Sequence, residues 1–152
     1  MYRKILLCYD GTVEGRRALR QGAEVAMAMH SATYLLAICR SMVATTVPEG
    51  VTPELISCEE DTTRKLLTEG VQWLRDQGVS ADGSLVYGDP LVHIPQVAQR
   101  IGADLIVVGY RYRSRFARWW SESEEVTLLH QVSCSILVAM ATPAGQSGGG
   151  LP

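Results

Sequence analysis

Lysine is nearly absent from this 152-residue chain, with only Lys4 and Lys65 among 14 cationic residues, and 16 acidic residues bring the formal charge to −2. So small a charge lacks the overall basic excess with which a nucleic-acid coat neutralises phosphates, so any polyanion contact has to be local. No apolar run approaches the roughly 18 residues that crossing a bilayer requires. Met1-Tyr2-Arg3-Lys4 leads into a strand-like segment instead of a signal sequence. The expectation is a cytoplasmic protein with no membrane partner. The four cysteines, Cys8, Cys39, Cys58 and Cys134, form no C-x-x-C pair, and three lie in or beside apolar runs. They read as reduced packing thiols, not as a disulfide framework or a redox centre. His30, His93 and His130 stand far apart and match no metal-ligand spacing. A Gly-Lys-Ser/Thr run is also missing, which excludes a Walker-type phosphate loop. Ser123 has no sequence-evident base, so nucleophilic catalysis lacks its second member and the chain reads as non-enzymatic.

At 47% hydrophobic and 20% charged residues, the chain can bury a core without disulfides or metal, and its length suits one domain. Arg3 to Tyr9 is a short, almost continuous apolar run, the signature of a strand covered on both faces. Beyond Asp10-Gly11-Thr12, with Thr12 as N-cap, small and apolar residues from Ala18 to Met27 recur at helical spacing. Thr33 to Cys39 reads as a second strand, Ser41 to Thr52 as a loop, and Pro53 to about Gln77 as a second helix stopped by Gly78. Ser84 to Tyr87 gives a third strand. The helix after it begins either irregularly past Pro90 or properly at Pro95, because proline removes a donor and disfavours helical geometry at the residue before it. Asp104 to Gly109 and Ser135 to Ala139 are the last two strands, with a helix from about Glu122 to Gln131 between them. The tail, residues 142–152, is glycine-rich with nothing to bury and is expected to be disordered, leaving residues 1–141 as the domain.

Strands alternating with helices imply an α/β fold: one five-stranded parallel sheet, doubly wound, with helices on both faces. Ligands of such sheets gather past the carboxyl ends of the strands where their order reverses. That directs attention to Tyr9, Asp10, Gly11 and Thr12 after strand one and to Gly109 through Ser123 after strand four.

Strand one ending in Asp10-Gly11-Thr12, the helical Arg17-Ala18-Leu19, Gly88-Asp89-Pro90, the run from Gly102 to Gly109 and the run from Cys134 to Val138 occur in an order and spacing that resemble the universal stress protein family, over Met1 to about Ala139. The resemblance implies the adenine nucleotide α-hydrolase-like sheet order 3-2-1-4-5, a stress-response role and a homodimer paired through the last strand, where Ile136, Leu137 and Val138 form an apolar edge. Carried over by position, Tyr9, Ile38 and Val108 would line a base pocket, Asp10 would meet the nucleoside, and Gly109 and Ser123 would touch phosphates or ribose, with ATP or AMP as the ligand. Asp10 reads equally well as a turn residue that accepts backbone hydrogen bonds. A response-regulator receiver shares the topology. It would need an aspartate ending strand three and a lysine after strand five, whereas here Tyr87-Gly88 ends the strand and no lysine follows Lys65.

Nucleotide-binding members carry glycine, two residues, glycine, nine residues, then glycine and Ser or Thr. The frame here starts at Gly109, meets Tyr112 and Glu122 in place of the second and third glycines, and keeps Ser123. Bare backbone N–H groups lend close approach to phosphate oxygens; Tyr112 adds bulk there and Glu122 adds negative charge. Ser121-Glu122-Ser123-Glu124 also supplies a capping box, so the last helix already serves its own N-terminus. Interleaved through residues 110–120 are Arg111, Arg113, Arg115 and Arg118 with Tyr110, Tyr112, Phe116, Trp119 and Trp120. This stretch reads as aromatics packing on the sheet end with arginines in water, as a protein-partner surface, or as an anion clamp in which Arg111 and Arg113 replace the glycine cradle. The near-neutral charge argues against base stacking with nucleic acid. The resulting expectation is a regulatory or interaction module with weak or absent ATP binding, the alternative being an ATP- or AMP-binding switch.

Overall fold

The computed structural model describes residues 1–9, 13–39, 53–110 and 128–140. Its elements run β1 (Lys4–Tyr9), α1 (Val13–Met29), β2 (Ala32–Cys39), α2 (Pro53–Asp76), β3 (Ala81–Tyr87), α3 (Pro90–Ile101), β4 (Leu105–Tyr110) and β5 (Ser135–Met140), with residues 128–131 also helical. All strand pairs are parallel, in the expected order β3-β2-β1-β4-β5. The expected loop over residues 41–52, the start of the last helix and the tail lie outside the described residues.

Strand pleat divides the core into two layers. Ile5, Leu7 and Tyr9 of β1 join Leu35, Ala37 and Val107 in the layer that also holds residues of α1 and α2. Leu6 and Cys8 join Leu36, Ile38, Ile106 and Val108 in the layer with α3 residues and Leu128. This two-sided burial is why β1, β2 and β4 read as continuous apolar runs.

Two expectations change. β3 begins at Ala81, three residues before Ser84, because its main chain already pairs with β2 from Thr33↔Ala81 onward. As an edge strand it leaves Asp82 and Gly83 exposed, so hydrophobicity does not announce its start. The open choice for α3 falls on Pro90. Asp89 caps the helix by accepting from the Leu91 N–H at 2.9 Å, and Pro90 takes the first helical position, where no N–H is required. Pro95 sits inside, where the sixth residue would otherwise donate back to Leu91. Gly102, at φ 66, closes the helix in the left-handed conformation.

Candidate functional site

Chain order reverses at β1, whose neighbours are β2 on one side and β4 on the other. An open sheet takes ligands in the crevice at this point of its carboxyl edge, here between β1 and β4. Its floor among the described residues is apolar and closely packed. Cys8, Ile38 and Val108 lie on one face of three adjacent strands and are 5%, 2% and 4% exposed. Gly109 follows Val108 on β4, opposite Ala139 of β5, and is partly exposed.

Ile38 and Val108 are thus buried on one face of the sheet, whereas Tyr9 is not placed with them. Its side chain belongs to the opposite layer, among residues of α1 and α2. The pleat makes the residue before it, Cys8, the β1 contribution to the floor. Sequence reading passed over Cys8 as a packing thiol. The signal that finds it is strand register, with Cys8 level with Leu36 and Val108 with Val138. Asp10, Gly11, Thr12, Arg111, Arg113 and Ser123, together with Tyr112 and Glu122, lie outside the described residues.

Burial pushes the Cys8 thiol far above its ordinary range, and neighbouring Cys134 adds to the shift; Cys134 is itself raised by burial. Burial thus disfavours the thiolate at both positions.

Toward β3 the carboxyl edge is closed by side chains that tie elements together. Tyr87 Oη donates to Glu60 Oε1, and Arg64 Nη2 donates to the same oxygen at 3.1 Å, joining β3 to α2. These hydrogen bonds, Tyr87's first, hold the Glu60 carboxyl below its usual range, and the bond to Glu60 raises the Tyr87 phenol. On the other side His93 Nε2 donates to the Tyr87 carbonyl at 2.7 Å, fastening the start of α3 to the strand end. These partners satisfy one another at the surface. Among the described residues no three His, Cys, Asp or Glu side chains cluster to hold a metal ion. Cys8, Ile38 and Val108 are buried and apolar on this face of the sheet.

Comparison with known proteins agrees with this architecture. The model of the universal stress protein family matches residues 1–139. Stress response protein NhaX of Bacillus subtilis is 25% identical over 139 residues, covering 76% of this chain and 84% of NhaX. Universal stress protein UspA from Lactobacillus plantarum superposes with a TM-score of 0.73 at 20% identity, over 91% of this chain and 97% of that one. A universal stress protein family member from Arabidopsis thaliana, solved with AMP bound, gives a TM-score of 0.64 at 18% identity, over 93% of both chains. Among the described residues no helix is long and apolar enough to cross a membrane.

Proposed function

From the premise that this chain belongs to the universal stress protein family, we propose that it serves the stress response as a non-catalytic, cytoplasmic regulatory module in which ATP binding is weak or absent. The observation that carries this reading is the pairing of Gly109 with Tyr112 and Glu122, where nucleotide-binding members have three glycines. A carboxylate about 5 Å from a phosphate charge opposes it by roughly 1 kcal/mol in a water-like medium and about 3 kcal/mol at an effective dielectric of 20. Lost backbone contacts add to that penalty. The buried apolar cluster of Cys8, Ile38 and Val108 supports a reading in which the base half is kept. A homodimer fits the edge position of β5, which pairs with β4 alone among the described residues and leaves Val138 41% exposed. The arginine and aromatic stretch over residues 110–120 fits a protein partner, being rich in the residue types that dominate interface energetics.

A second reading is an ATP- or AMP-binding switch in which Arg111 and Arg113 replace the glycine cradle. It is favoured by the retained floor and by the AMP bound in the Arabidopsis thaliana relative. Isothermal titration with ATP, ADP and AMP separates the two. The proposal expects an ATP dissociation constant near 1 mM or weaker, which is about −4 kcal/mol, and no turnover that depends on Ser123. Micromolar ATP affinity that falls on Arg111→Ala or Arg113→Ala would establish the switch instead.

A further inference from the structure

We propose that the trench between α1 and α2 is a second binding site, for a small apolar carboxylic acid. α1 packs over β1, β4 and β5, whereas α2 packs over β2 and β3, so the two helices part above the β1–β2 boundary. Between them lies a cavity of about 310 Å³. Leu7 and Leu35 rise into it from the sheet, Leu19 from α1, and Leu66 and Leu74 from α2. Leu7 and Leu35 belong to the layer opposite Cys8, Ile38 and Val108, so this site lies across the sheet from the crevice floor.

Its chemistry follows from three features. The volume is roughly twice the roughly 150 Å³ of an apolar protein cavity that takes up benzene and stands at the low end of the roughly 300–1,000 Å³ typical of ligand pockets. A chain of about eight to ten carbons or a two-ring system fits it. Gly70 keeps the space open: a Cβ there would meet one atom, Leu35 Cδ2, at 2.8 Å, and nothing else within 4 Å beyond its own helix and chain neighbours. As at Gly22 on α1, the missing side chain also lets the helix lie close to the sheet. Trp73 stands at the rim, 39% exposed, as an aromatic wall half in water. The polar lining residues Arg20 and Glu69 are both exposed. Glu69 is already engaged within the protein, whereas Arg20 has no hydrogen-bond or ion-pair partner among the described residues. A guanidinium free to make a fork-shaped contact beside an apolar slot selects an apolar body with a carboxylate end.

Octanoate and the uncharged 1-octanol are the probes, followed by methyl NMR of the intact chain. The site predicts saturable, sub-millimolar octanoate binding, with shifts at the methyls of Leu7, Leu35 and Leu66 while those of Ile38 and Val108 stay still. Arg20→Gln should weaken octanoate about five- to tenfold and leave octanol within about twofold, as loss of one charge-assisted contact requires. Gly70→Leu should abolish both by filling the space; Leu66→Trp, from the wall, repeats the test should that variant not fold. The proposal is overturned by absence of leucine shifts at ~5 mM octanoate, by shifts centred on Ile38 and Val108, by binding that survives a folded filled variant, or by octanoate affinity indifferent to Arg20→Gln.

Discussion

Asp104 accepts two main-chain hydrogen bonds, from the Arg3 N–H at 2.7 Å and the Lys4 N–H at 2.9 Å, and so ties the start of β1 to the start of β4. Those bonds, Lys4's first, hold its carboxyl below the ordinary value of 3.8. A depressed folded-state pKa gives stability that is present above the unfolded value and lost as pH falls through the folded one. Asp104→Asn should therefore lower the urea midpoint at about pH 7, with the gap from the native chain narrowing below about pH 4. An equal gap at both pH values would contradict the assignment. Single residues are also where sequence reading was least secure. Tyr9 and Cys8 are neighbours in one apolar run, and only the pleat and register of β1 decide which of them faces Ile38. Composition carries no such parity when both faces of a strand are buried.

At the scale of elements, α1 lies close against the sheet because Gly22 has no side chain. A Cβ there would stand 2.7 Å from Leu7 Cδ2 and 3.0 Å from Val107 Cγ1. Gly22→Ala should therefore cost about 1–3 kcal/mol through overpacking despite alanine's better helix propensity, and urea unfolding measures it; a stabilised variant would show that the helix shifts freely. β5 supports the dimer reading differently from the way its apolar sequence suggested. Ile136 and Leu137 are partly buried in their own core layers, which leaves Val138 and a main-chain edge unpaired among the described residues for a second copy. Val138→Lys should convert a dimer to a monomer by sedimentation while changing stability by no more than about 0.5 kcal/mol, the usual range for exposed sites. An unchanged mass would remove this edge as the interface. Elements whose hydrophobic period matched their burial, β1, β2, β4 and α2, were legible in the sequence. β3 and α3 were legible less fully, because edge pairing is a main-chain property and because Asp89 outweighs the warning that Pro95 gives.

For the whole molecule, sheet order and layering followed from alternating strands and helices together with the family resemblance, since right-handed crossovers leave few other arrangements. The site was legible in halves. The burial of Ile38 and Val108 on one face appears only in the fold, whereas the proposed loss of the phosphate half rests on Tyr112 and Glu122 of the sequence. The trench between α1 and α2 had no sequence signal, because it arises from how far apart two helices settle on the sheet.

The closing of the phosphate seat is tested most directly by titrating ATP into the native chain and into Tyr112→Gly/Glu122→Gly side by side. The account predicts at least about a tenfold gain in ATP affinity for the variant, worth roughly 1.4 kcal/mol or more, with adenosine affinity nearly unchanged. Micromolar ATP binding by the native chain, or equal ATP affinity in the two proteins, would contradict it.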